Sequence, residues 1–189
     1  RKNYALLFRD FLENLMSKKI VILEQTNAEW PLIAAREKNL LRVLLGTTLL
    51  SLEHIGSTSI PNIAAKPVID LLGEVVSIGE IDEKEDLLEK NGYTWRGENG
   101  ILDRRYITKS LSGRHEDLLH VHLFIVGHPQ VARHVIFRDY LLRYPDVAVK
   151  YNNLKRRLAK EFRNERAKYQ EGKSEFIEEI ISHAQKEFN

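Results

Sequence analysis

Cysteine is absent from the 189 residues, which excludes disulfides and thiolate metal sites and permits a reducing compartment. Long apolar runs are absent too. No stretch approaches the ~18 residues that a membrane-spanning helix needs, and residues 1–19 lack a signal-peptide core with a cleavage site. A cytoplasmic protein with no membrane partner is the expectation. An excess of charge is also missing: the formal net charge of +2 is too small to argue for nucleic acid, which is not expected as a partner. Internal repeats and low-complexity linkers are missing as well.

What is present is an ordinary globular composition, 43% hydrophobic, in a chain of one-domain length. Residues 4–17 carry Leu6, Leu7, Phe11, Leu12 and Leu15 at helical spacing, so 1–19 reads as an accessory amphipathic helix ahead of a single domain over 20–189. Val21 to Leu23 reads as a short strand. Asn27 is a candidate cap for a helix that stops at Gly46, with Ile33, Leu40, Leu41 and Leu44 on one face. A strand over 49–55 follows. Ile78 to Lys90 reads as one helix with an acidic, solvated face. Residues 93–96, 103–109 and 117–126 read as strands around loops at 97–100 and 110–113. From about 129 the chain is helical, with Pro129 in a first turn, a break at Tyr144-Pro145-Asp146, and apolar stripes at Tyr151, Leu154, Leu158, Phe162 and at Phe176, Ile177, Ile180, Ile181, Ala184. Between 150 and 173 nine Lys or Arg stand against three Glu, a solvated face or the footprint of an anionic partner. The fold class expected is α+β, a mixed sheet flanked by helices with a helical C-terminal part.

The chemistry concentrates between Leu52 and Leu72. Gly56 permits a tight turn, and Ser57, Thr58 and Ser59 crowd hydroxyls and N–H groups where an anion such as phosphate can be held. Asp70 lies in the apolar run Val68 to Leu72, where an acid must face a site or carry an unmet desolvation cost. His120 and His122 alternate onto one strand face roughly 7 Å apart. Imidazole favours zinc, nickel, iron or copper. With Asp70 the pair makes either a metal set or a hydrogen-bonded cluster in a cleft. Lys66 offers a point charge, and Asn62 tolerates a left-handed turn. Of Arg104 and Arg105 only one can enter a cleft; alternation alone does not choose, and Arg105 is the preferred candidate.

The segment from His54-Ile-Gly-Ser-Thr-Ser-Ile-Pro-Asn through Lys66-Pro-Val-Ile-Asp70 resembles the signature of the GrpB family, which is similar in fold to the DNA polymerase β-type nucleotidyltransferases. The resemblance continues to about residue 178, through Arg104-Arg105, the His120-Val-His122 strand and Phe137 to Leu141. It implies a cleft near Asp70 for a nucleotide or phosphorylated small molecule, with His54, Gly56, Ser57, Thr58, Lys66 and Arg105 on the ligand. It also implies Asp70, His120 and His122 as catalytic or metal-binding residues, with magnesium, manganese or zinc as the candidate ion. The superfamily pairs acids at i and i+2, but here i+2 is Leu72. The next acid on that face, Glu74, is roughly 13 Å along the strand, too far to share a magnesium ion with Asp70. The resemblance therefore leaves two readings. One is a nucleotidyltransferase-like transferase without its second strand carboxylate. The other is a non-catalytic binding, regulatory or folding-assistance module with a protein partner, as in fusions to dephospho-CoA kinase.

Overall fold

The computed structural model describes residues 20–110 and 117–188. The helix expected over 4–17 and the loop positions 111–113 lie outside the described residues. Five strands form one sheet: β1 (Leu49–Ile55), β2 (Ile69–Val75), β3 (Tyr93–Trp95), β4 (Arg105–Ser110) and β5 (Asp117–Ile125), in the order β1-β2-β5-β4-β3. Only the β2–β5 pair is parallel. β2 sits inside the sheet, where five of its seven residues are buried and Asp70 and Glu74 are half-buried. The helices are α1 (Glu29–Leu45), α2 (Ile78–Asp82), α3 (Glu85–Lys90), α4 (Pro129–Arg143), α5 (Pro145–Glu161), α6 (Arg166–Glu171) and α7 (Ser174–Phe188). The α+β class, the mixed sheet and the helical C-terminal part are as expected.

Strand alternation divides the sheet into two faces with different work. Leu52, Ile69, Leu71, Val121 and Leu123 join Trp30, Ala34, Leu41 and Leu45 of α1 in the main core, with Ile81 and Leu88 from α2 and α3. The opposite face carries Ile55, Leu72 and Phe124 under Val131 and Val135 of α4, together with the polar residues described below. That face is roofed by the C-terminal helices.

Three local expectations are corrected. Val21 to Leu23 is not a strand: a single bridge joins Glu24 to Ala65, because the partner segment is wound into turns and offers no extended edge. The helix expected over 78–90 is two helices, α2 and α3. Ser77 caps α2, its Oγ accepting from the Glu80 N–H at 3.3 Å. Like charges at helical spacing, Glu80 with Glu83 and Asp82 with Glu85 and Asp86, oppose a continuous run across the break. At the start of α1, Asn27 Oδ1 accepts from the Glu29 N–H at 2.9 Å, while Ala28 holds the cap position itself. Between α4 and α5 the break at Tyr144 lasts one residue. Tyr144 is extended at φ −119°, as a residue before proline must be, and Pro145 opens α5.

The turn segment after β1 is held from above. Ile60 and Ile63 lie in a cluster with Leu141, Tyr151, Phe137 and Phe176 from α4, α5 and α7. Asn152 Oδ1 accepts the Ala64 N–H at 2.9 Å, and the buried Lys155 Nζ donates to the Ala64 carbonyl. Asn152→Ala leaves that N–H without its partner and is expected to cost roughly 1–3 kcal/mol. Urea unfolding of the variant checks this; an unchanged midpoint would show that the staple carries no weight.

Candidate functional site

Asp70 and the two histidines are brought together by register. In the parallel pairing of β2 with β5, Asp70 lies opposite His120. His120 Nδ1 is 3.3 Å from Asp70 Oδ1, and His122 Nε2 is 3.8 Å from the same oxygen. Burial pushes the Asp70 carboxyl up, but the hydrogen bonds and charge of His120 and His122 outweigh it and hold the group well below the usual carboxylate range. Tyr106, opposite His122 on β4, sets its ring 5.5 Å from His120 and 5.1 Å from His122.

The arginine assignment is reversed. Arg105 pairs with Leu123 in the β4–β5 register and so faces the α1 side, where its fork meets Asp82, with Nη2 2.7 Å from Oδ2. Arg104 is the one on the site face, and it is 5% exposed. Its Nε donates to the Glu98 carbonyl at 3.1 Å, its Nη2 to the Asn99 carbonyl at 2.7 Å, and its Nη1 lies 3.3 Å from His122 Nδ1. A guanidinium only donates, so His122 Nδ1 accepts and a neutral ring carries its proton on Nε2, toward Asp70.

The turn ahead of β2 closes against the same carboxylate. Gly56 takes φ 73° and ψ −175°, and a Cβ there would lie 2.6 Å from Asp70 Oδ2. Ser59 Oγ donates to the Gly56 carbonyl at 2.7 Å. Thr58 Oγ1 donates to the Val68 carbonyl at 3.1 Å and therefore accepts from His54 Nε2 at 3.0 Å. The Thr58 hydroxyl is thus committed to tying the turn to the start of β2. Asn62 adopts φ 62°, in the left-handed region expected of it.

His54 lies on the other face of the sheet. It pairs with Leu71, not Asp70, and lines a shallow depression with Ala34 and Lys38 of α1. Burial, helped by Lys38 and Arg138 and opposed by Asp70, lowers its pKa to about 4. The Arg138 fork reaches Asp139, Glu53 and the His54 carbonyl, an arrangement that holds α4 to β1.

Gly56, Ser57, Thr58, Lys66, Asp70 and His120 all line one cavity of about 260 Å³ between the sheet and the C-terminal helices. The rest of its wall comes from residues that the sequence reading did not nominate. Arg133 and His134 enter from α4, Tyr151 from α5, Arg166 and Tyr169 from α6, and Lys173 from the turn before α7. Lys66 also lies over the Tyr169 ring at 5.9 Å. Burial and the charge of Lys66 lower the Lys173 pKa to about 8, against the pull of Asp70. Burial first, then neighbouring His122, Arg133 and Arg104, lower the His134 pKa to about 4 against the pull of Asp70. Four cations therefore face one carboxylate. The basic run over 150–173 was the available signal, but it does not tell which of its nine charges turn inward.

The three residues nominated as metal ligands do not fit that task as arranged. His122 presents an N–H, not a lone pair, to Asp70, and the Asp70 oxygen is shared by both rings. Among the described residues no group of three His, Asp or Glu side chains is placed to hold a metal ion. Among them, too, no helix is long and apolar enough to cross a membrane.

Comparison with known proteins agrees with this fold. Residues 20–183 match the sequence model of a family described as GrpB protein. The UPF0157 protein YqkA of Bacillus subtilis is 39% identical over 173 residues, which cover 92% of this chain and 50% of that protein, so the chain spans half of its length. The crystal structure of conserved protein GrpB from Enterococcus faecalis is similar with a TM-score of 0.81 and 36% identity, covering 88% of this chain and 99% of that one. A dephospho-CoA kinase of Mycolicibacterium paratuberculosis is 28% identical over 175 residues, 77% of this chain and 42% of that protein.

Proposed function

The chain belongs to the GrpB family, and we propose that its cavity binds a nucleotide or a phosphorylated small molecule and that His120 moves a proton on it. One observation carries the reading: Lys66, Arg166 and Lys173 line the same cavity as Asp70, beside an Arg133 that pairs with Glu178. Holding such charges close together is costly unless an anion offsets them. The Lys173 pKa is lowered first by burial and then by the charges of Lys66 and Arg166.

The acid–base part follows from the contact of Asp70 with His120. A carboxylate holding Nδ1–H leaves Nε2 with the lone pair, the arrangement of a general base. Asp70 then orients the ring and stabilises the imidazolium that forms, a role that needs no second acid at position 72. Transfer of a phosphorylated group is the reaction class that this pairing of cations and base suits.

Ligand binding to the native state raises the melting temperature. At a hundredfold excess over Kd, a phosphorylated ligand is expected to raise it by about 5–10 °C. The screen comprises nucleotides, phosphorylated small molecules and CoA precursors, the last suggested by the dephospho-CoA kinase relative. Lys173→Gln should remove the shift. Asp70→Asn should keep the shift and lose turnover. A panel in which no anion moves the wild-type transition refutes the reading. The buried Leu72 where a second acid would stand favours the alternative of a non-catalytic module; binding without turnover of any ligand would select it.

A further inference from the structure

We infer that the groove between α1 and the outer edge of β1 docks an extended, acidic segment of a partner protein, which adds a strand to the sheet. The inference is independent of the reading of the Asp70 cavity and stands if that reading fails. The first observation is an open edge. β1 is the outermost strand and pairs only with β2. Arg138 reaches the His54 carbonyl from outside the sheet, with Nη1 3.1 Å away, so the main chain of His54 points away from β2. Strand alternation turns Leu52 the same way. Among the described residues neither has a main-chain hydrogen bond across that outer edge. Proteins guard such edges with charges and bulges, because a bare edge is a template for another strand. Here the guards stand at the ends: a register shift between Leu49 and Ser51, and the pair of Arg138 with Glu53. The window between them, around Leu52 and His54, is left open.

The second observation is what borders that window. Pro31, Ala35, Lys38 and Arg42 recur at i, i+4, i+7 and i+11 of α1, one helical stripe. With His54 they line a groove of about 310 Å³, larger than the cavity at Asp70. The small residues leave room for a passing backbone, and the two cations supply charge. Burial first, and then the charge of Lys38, lower the His54 pKa against the pull of Asp70, so Lys38 is felt at β1. Among the described residues no carboxylate pairs with Lys38 or Arg42; Arg42 Nη1 donates to Asn39 Oδ1 at 3.3 Å. One helical turn sets Lys38 and Arg42 about 6 Å apart along the axis, and alternate side chains of an extended chain are about 6.6 Å apart. Acids at alternate positions of a bound strand therefore meet both cations. Main-chain pairing supplies the affinity and the alternating acids the selectivity.

Charge and shape choose the occupant. Residues 1–19 of this chain carry five Lys or Arg against two acids, the wrong sign for the groove. The acids of a second copy's α2 and α3 are on helices, not on an extended segment. A nucleic acid offers phosphates but no peptide groups to pair with the edge.

Amide NMR of the full chain at low salt, titrated with acetyl-Val-Glu-Val-Glu-Val-amide, tests this. The peptide is expected to bind at least about tenfold more tightly than acetyl-Val-Val-Val-Glu-Glu-amide, which has the same charge without the alternation. Hydrogen exchange at the Leu52 and His54 amides should slow when it binds. Lys38→Gln and Arg42→Gln should each weaken binding by up to about fivefold, the range of an exposed ion pair. Ala35→Glu, at an exposed helix position, should weaken it more than either. Equal binding of the two peptides, no binding of either, shifts confined to the Asp70 cavity, or unchanged affinity in Ala35→Glu overturns the inference. So does protection of the Leu52 and His54 amides before peptide is added. Protection independent of protein concentration would assign the edge to residues 1–19, and protection that rises with concentration would assign it to a second copy.

Discussion

Acidification from pH 6.5 to 4 is expected to remove about 3 kcal/mol of folding stability through two histidines, His54 and His134, a large part of the ~5–15 kcal/mol of a typical domain. Both have pKa values lowered from 6.5 to about 4, chiefly by burial. As pH falls through 6.5 the unfolded chain takes up protons on these rings while the folded chain refuses them. Stability therefore declines with falling pH until the folded rings also titrate, near 4. Each ring alone would account for about 3 kcal/mol over the interval if wholly shielded. Both keep some contact with water, and halving the sum is the appropriate discount. Local contacts explain the direction: a protonated His54 would join Lys38 and Arg138, and a protonated His134 would join Arg133 and Arg104. Lys155 and Lys173, lowered to about 7 and about 8, act with the same sign at higher pH, so stability should still be rising above neutrality. Urea unfolding at half-unit steps from pH 7.5 to 4 measures the slope. His134→Gln should flatten it by about half. A profile that is level across this window would contradict the burial of both rings.

The sheet and the turn were legible in the residues because each depends on local rules. Gly56 has no substitute in its turn, Pro129 and Pro145 begin helices, and β5 alternates so strictly that His120 and His122 must share a face. What could not be read was everything that depends on register between strands. Arg104 and Arg105 are equivalent by alternation until Tyr106 is placed opposite His122, and only then does Arg104 turn to the histidines and Arg105 to Asp82. His54 belongs to the same motif as Gly56 and Asp70, yet the β1–β2 pairing sets it opposite Leu71 on the far face. It meets the turn through Thr58. The cationic wall was out of reach for a different reason. Arg166 and Lys173 line the cavity, while Lys168, between them in the chain, turns to Glu165 at the surface. Short helices joined by turns have no single period that would sort inward charges from outward ones.

Replacing Gly56 by alanine is expected to cost about 3 kcal/mol and to abolish the ligand-induced thermal shift. Two effects add. The backbone at φ 73° and ψ −175° lies in a region that is essentially closed to residues with a Cβ, a strain of order 1–3 kcal/mol. The new methyl would also stand 2.6 Å from Asp70 Oδ2, closer than any contact that side chains accept. Asp70 cannot yield toward the sheet, because His120 and His122 hold its other oxygen, so the turn must lift away and carry Ser57 and Thr58 out of the cavity wall. Gly97→Ala separates the two effects. Gly97 also has a positive φ, 57°, but a Cβ there meets nothing within 4 Å, so it reports backbone strain without the clash. Denaturation midpoints and ligand-induced shifts measured on both variants give the answer. Gly97→Ala should lose about 1 kcal/mol and keep the full shift. If Gly56→Ala loses no more than that and still responds to ligand, the turn does not seat against Asp70, and the cavity is not organised by that contact.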